Sequence, residues 1–131
     1  MFSNVNSFKK QGDVGMSYAI AYYSKLGYTV NIPLTDSQDY DFVLENNNSF
    51  LKVQVKTTDF KTKSGIYRVS LRTCGGNKSG KNKVKKFDLN SSDLLFVLTG
   101  DGTCYSIQKE FIKATNTLNL GENYKQFKVS L

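Results

Sequence analysis

Histidine is absent from this 131-residue chain, and acids are scarce, eleven Asp or Glu against eighteen Lys or Arg. Without an imidazole, Ser-His-Asp and Cys-His nucleophile systems, histidine-ligated zinc and histidine general bases are all excluded. Cysteine occurs only twice, as Cys74 and Cys104. The pair makes a poor zinc site without histidine, and a reducing compartment disfavours a disulfide between them. No apolar run approaches the roughly 18 residues that a membrane span needs. No basic start followed by an apolar stretch resembles a secretory signal, so a cytoplasmic chain with no membrane segment is expected. The chemistry that remains must come from carboxylates, lysine, hydroxyls or a hard metal ion.

What is present describes one globular domain over residues 1–131, with 39% hydrophobic, 13% aromatic and 22% charged residues. The net charge of +7 is concentrated in one place. Between Arg72 and Phe87 stand Arg72, Lys78, Lys81, Lys83, Lys85 and Lys86 with no acid, which leaves the rest of the chain nearly neutral. Gly75, Gly76, Asn77, Gly80 and Asn82 interrupt these cations. The tract reads as a basic loop over 72–87 whose cations can meet phosphates by counterion release. Its plainer alternative is a solubilising surface loop.

Apolar positions at Val14, Tyr18, Ala21, Tyr22 and Leu26 recur at helical spacing and predict a helix over about 12–26, with Gly27 as its stop. Asp13 would then sit in its first turn, where a carboxylate suits the helix dipole. Strands are predicted over about 28–33, 40–45, 50–57 and 66–71. Asn46, Asn47 and Asn48 connect the second to the third. Leu94 to Thr99 is a continuous apolar run, the mark of a strand buried on both faces, and it opens a closing hairpin over 94–107. Gln108 to Ala114 predicts a short helix, and Phe127 to Leu131 an edge strand. This order describes an α/β or α+β domain built on one mixed sheet.

Asp41 lies on the second strand among Tyr40, Phe42, Val43 and Leu44. On the third, Leu51, Val53 and Val55 alternate with Lys52, Gln54 and Lys56. A hairpin across the asparagine turn can bring Asp41 to Gln54 and Lys56. A carboxylate oxygen, an amide oxygen and the main-chain carbonyl of Val55 are hard ligands suited to Mg²⁺ or Mn²⁺. A metal there would acidify a water, and Lys56 would position it or stabilise charge on phosphorus. That set fits phosphodiester cleavage and needs no histidine.

The runs Gly12-Asp13-Val14-Gly15, Leu26-Gly27-Tyr28, Tyr40-Asp41-Phe42-Val43 and Val53-Gln54-Val55-Lys56-Thr57 resemble the PD-(D/E)XK nuclease superfamily. Its intron-encoded homing endonucleases share the Gln-x-Lys variant. Ser92 to Val97 followed by Gly102 to Ile107 is similar to the closing hairpin of that group, so the resemblance covers about residues 9–112. It implies a restriction-endonuclease-like core, a central mixed β-sheet flanked by helices. It implies a Mg²⁺- or Mn²⁺-dependent DNA endonuclease with Asp41 as the metal-binding acid, Gln54 in the place of a usual Asp or Glu, and Lys56 as the catalytic lysine. It also implies double-stranded DNA as partner, and a homodimer or homotetramer, since one small domain offers one site and a double-strand cut needs two.

One position departs from the pattern. Relatives often carry a glutamate on the first helix where this chain has Met16. Asp13, one helical turn earlier, and Asp39, two residues before Asp41, are the two acids that could stand in. If neither does, the alternative is a DNA-binding module on the nuclease fold, or a branched-DNA resolvase or repair nuclease. Lys9 and Lys10, with the cations of the basic loop, are the expected DNA contacts. The Gly75–Lys81 stretch has the G-x₄-G-K spacing of a phosphate loop, yet Asn82 follows where Ser or Thr is needed. Gly65-Ile66-Tyr67 spells half of another nuclease signature without a second half at a suitable distance.

Overall fold

A computed structural model describes residues 1–74, 84–85, 90–114 and 116–131. The fold is mixed α+β. One helix, α1 (Phe8–Lys25), precedes β1 (Thr29–Asn31), β2 (Phe42–Asn46), β3 (Ser49–Thr58), β4 (Arg68–Ser70), β5 (Thr73–Cys74) and β6 (Val84–Lys85). The chain ends with β7 (Leu94–Thr99), β8 (Cys104–Gln108), β9 (Thr117–Asn119) and β10 (Lys128–Val129). Six strands form the central sheet in the order β1-β2-β3-β7-β8-β10, while β4 pairs with β9 and β5 with β6. All central neighbours are antiparallel except β3 and β7, which run parallel.

The helix begins four residues before the position that its apolar spacing suggested. Ser7 is the reason, because its Oγ accepts the Lys10 N–H at 3.2 Å and caps the first turn. Asp13 consequently lies beyond the first turn. At the other end Gly27 takes φ +94°, and the N–H groups of Gly27 and Tyr28 return to the carbonyls of Ser24 and Tyr23. That pair of bonds closes the helix in a Schellman turn. The β2–β3 hairpin turns on Asn47 and Asn48, both at positive φ (49° and 66°), a conformation asparagine tolerates better than most residues.

Each face of the central sheet carries its own core. Beneath α1 lie Phe42, Leu44, Val53, Phe96 and Leu98 with Ala19 and Tyr23 of the helix. On the opposite face Leu95, Val97, Tyr105 and Ile107 pack with Val69, Leu71 and Leu118 of the β4–β9 region. Strand β7 feeds both cores by alternation, which explains its unbroken apolar run. Residues 66–71 contribute only the three-residue β4, in its own small sheet. Residues 108–114 form a single 3-10 turn at Lys109–Phe111, after which Ile112 returns to extended backbone and enters the core. Most of the basic loop, with Lys78, Lys81, Lys83 and Lys86, lies outside the described residues. Its two ends pair as β5 and β6, with Thr73 opposite Lys85.

Candidate active site

Strand β3 divides its side chains between two environments. Val53 and Val55 join the helix-side core, and Gly15 of α1 packs directly on Val55 and Thr57. By the two-residue period Gln54, Lys56 and Thr58 therefore point to the face away from α1. Asp41 precedes Phe42, a helix-side residue, so its carboxylate also turns away from the helix. The register places Phe42 opposite Val53, which brings Asp41 beside Gln54 across the β2–β3 pair.

The backbone locks this arrangement. Asp41 N–H donates to the Val53 carbonyl at 2.8 Å, and the Val55 N–H donates to Asp41 Oδ2 at 2.6 Å. The backbone groups of Val53 and Val55 thus face β2. Since Val55 packs its side chain under α1, its main chain is what borders the site. Gln54 is 4% exposed. Its Nε2 donates to the Asp39 carbonyl at 3.2 Å. Its Oε1 is buried with no hydrogen-bond partner among the described residues. Exchanging the amide atoms would set Oε1 against the Asp39 carbonyl oxygen, so the observed orientation is the favourable one. Lys56 Nζ donates to the Arg72 carbonyl at 2.9 Å, which ties it to the root of the basic segment.

Together Gln38 to Asp41 and Gln54 to Val55 to Lys56 enclose an open, polar recess of about 220 Å³. Burial pushes the Asp41 carboxyl above the ordinary aspartate value, while the Val55 N–H and the Lys56 ammonium pull it down without offsetting the burial. A site that holds a carboxylate at this cost gains from a cation. The donor set fits one of the hard class: the Asp41 carboxylate, the unpartnered Gln54 Oε1 and the Val55 carbonyl are all oxygens. An orphaned buried amide oxygen is costly unless something coordinates it. Among the described residues no group of three or more His, Cys, Asp or Glu converges.

Asp39 lines the same recess as Asp41. Asp13 does not, because it lies exposed on α1, on the other side of the sheet. Met16 is packed against the helix-side core. Lys9, Lys10 and Arg72 are exposed, and Lys85 lies in β6. Gln38 and Tyr40, neither of them a candidate site residue on sequence pattern, also border the recess. Adjacency to Asp41 was the signal for Tyr40, whose ring lies 5.9 Å from Lys52 Nζ. Nothing local in the chain marks Gln38 or the Arg72 carbonyl.

A profile of the PD-(D/E)XK endonuclease family matches residues 6–129. Among solved structures the chain is similar to a bacterial homing endonuclease, I-Ssp6803I, with 27% identity and a TM-score of 0.71. That similarity covers 92% of this chain and 82% of the other. No curated protein matches the chain.

Proposed function

The chain belongs to the PD-(D/E)XK endonuclease family, and from that premise we propose that it is a Mg²⁺- or Mn²⁺-dependent endonuclease hydrolysing DNA phosphodiester bonds. The observation that carries this reading is the buried, unpartnered Gln54 Oε1 in one recess with Asp41 and Lys56. Asp41, Gln54 and the Val55 carbonyl would hold the metal, with Asp39 beside them. When bound, the metal supplies a lowered water pKa and positive charge against the phosphorane.

The chain's own residues do the rest. Asp41 orders the recess, since one carboxylate oxygen is spent on the Val55 N–H and the other is left for a ligand. Gln54 contributes no charge, so the neutral amide leaves the Lys56 ammonium less shielded than an acid would. Lys56 orients the attacking water and donates to the developing charge on phosphorus. Its bond to the Arg72 carbonyl sets it where the basic segment begins, so backbone clamping and chemistry meet at one point. Lys9, Lys10, Arg72, Lys78, Lys81, Lys83, Lys85 and Lys86 supply the phosphate contacts. The similarity to a homing endonuclease over most of both chains supports DNA cleavage, and a homodimer or homotetramer would supply the second site that a double-strand cut needs.

Plasmid nicking in Mg²⁺ or Mn²⁺ tests the reading, with wild type compared with Asp41→Ala and Lys56→Ala. Wild type nicks and both variants fail. Equal cleavage by all three sinks the site assignment. No cleavage by any, with DNA still retarded in a gel, favours a DNA-binding module. Met16 and the absence of a third convergent acid among the described residues would then be its cause.

A further inference from the structure

Beyond Lys56 the strand runs into a second and larger recess of about 600 Å³. Thr57 and Thr58, the next two residues of β3, line it. At about 3.3 Å per residue its near wall is one or two steps from the catalytic lysine. Phe8 at the start of α1 and Phe60 just past β3 border it, 90% and 60% exposed. Two large aromatic side chains left in water around one recess adjoining a reactive site call for an occupant.

Charge decides which one. The recess contains one cation, Arg68, and one anion, Asp59. Arg68 Nε is already bonded to Asn119 Oδ1 at 2.8 Å. In a chain of net charge +7 this is a neutral spot with a carboxylate in its wall. With Arg68 and Asp59 offsetting each other, the recess offers a phosphate no net attraction, whereas a flat neutral π-system needs none. Gln11, held by its Nε2 bond to Thr57 Oγ1 at 3.2 Å, lines the recess with an amide of the kind that reads base edges. Lys9 and Lys10 follow Phe8 in the first turn of α1 and are exposed. The volume lies within the range of small-molecule sites, roughly 300–1,000 Å³.

We infer that this recess, bordered by Phe8 and Phe60, is a subsite for an unpaired nucleobase next to the scissile phosphate. The inference rests on the nuclease reading above. A base stacked within a duplex cannot offer its faces to these side chains, so the nucleotide beside the cut leaves the stack on binding, flipped out of a duplex or already bulged or single-stranded.

The test uses two fluorescein-labelled duplexes of about 30 base pairs, a length chosen to cover several phosphate contacts. One carries a single bulged thymine and the other an abasic tetrahydrofuran at the same place, so their phosphate charge is identical. Anisotropy is measured without divalent metal. Wild type binds the thymine bulge about five-fold or more tighter, the size expected of one base stacked on an aromatic ring. Phe8→Ala and Phe60→Ala bring the ratio towards one with unchanged salt dependence, and Phe60→Trp keeps it. A ratio of one in wild type, or a ratio that survives both alanine variants, overturns the inference. So does sedimentation of the alanine variants as a smaller species, which makes the recess a contact between copies. Plasmid nicking is scored separately. Nicking without base preference removes the subsite and leaves the nuclease, while base preference without nicking keeps the base site and removes the nuclease.

Discussion

Two glycines one turn apart on α1 should respond to alanine with opposite signs. Gly12 has open space where a Cβ would stand. Gly12→Ala therefore keeps only the helix-propensity gain, about 0.5–1 kcal/mol. Gly15 is seated on β3, and an added Cβ would overlap Thr57 Cγ2 and press on Val55 Cγ1 at 3.3 Å. Restoring ordinary carbon contacts requires the helix to retreat by roughly 1 Å. That retreat loosens Ala19 and Tyr23 against Phe42 and Phe96, and overpacking of this kind costs about 1–3 kcal/mol. The propensity gain offsets part of it, leaving Gly15→Ala destabilised by up to about 2 kcal/mol. The two variants then differ by the overpacking cost itself, about 1–3 kcal/mol, or on the order of 1 M in urea midpoint at the usual slopes. Thr57→Ser removes the obstructing methyl but keeps the hydroxyl that accepts from Gln11, so the double variant Gly15→Ala/Thr57→Ser recovers about 1 kcal/mol. Urea unfolding at equal slope is the assay. If Gly15→Ala is as stabilising as Gly12→Ala, the helix does not rest on β3 and the placement of Val55 falls with it.

Asp41→Asn should raise the stability of the metal-free protein at neutral pH. Because the folded pKa lies above the ordinary 3.8, the native state holds the proton more tightly. Wild-type stability therefore falls as pH rises from 3.8 through the raised folded value, and the Asn variant shows no such fall. Thermal melts across that window check the sign, and added Mg²⁺ should raise the wild-type midpoint only. Ser7→Ala removes the helix cap at a cost of about 1 kcal/mol, measured by denaturant titration. Phe96→Ala, fully buried in the helix-side core, should cost about 3–5 kcal/mol and lower the thermal midpoint accordingly. Neutralising Lys83, Lys85 and Lys86 should weaken DNA binding and flatten the plot of log affinity against log salt by about 0.9 per lost phosphate contact. An unchanged slope would make the basic tract a solubilising surface.

The parts of the fold legible from the chain alone are those whose signal is local. The apolar run Leu94–Thr99 marks a strand buried on both faces, and the alternation from Leu51 to Lys56 separates the positions facing the helix-side core from those on the opposite face. The small β4–β9 sheet was not legible, because Val69 and Leu118 are partnered across 49 positions and neither strand exceeds three residues. Asp13 illustrates a different limit. Helical periodicity relates it to Met16, but says nothing of which sheet face the helix covers, and that face is opposite to Asp41. The orphaned Gln54 oxygen and the Phe8–Phe60 recess are likewise products of tertiary assembly. No window of sequence contains both of their sides.

The hairpin that joins β2 to β3 has a consequence for how this chain can change. Its two-residue turn, Asn47–Asn48, leaves no slack, so Asn46 faces Ser49 and every pair behind them is counted off from that point. Lengthening or shortening β3 by a single residue would not weaken the site gradually. It would turn Lys56 and Gln54 under the helix and bring valines to the recess, removing core packing and the proposed site in one step. Insertions and deletions in a lineage of such proteins should therefore collect outside this hairpin, while the spacing from Asp41 to Lys56 behaves as a single inherited unit.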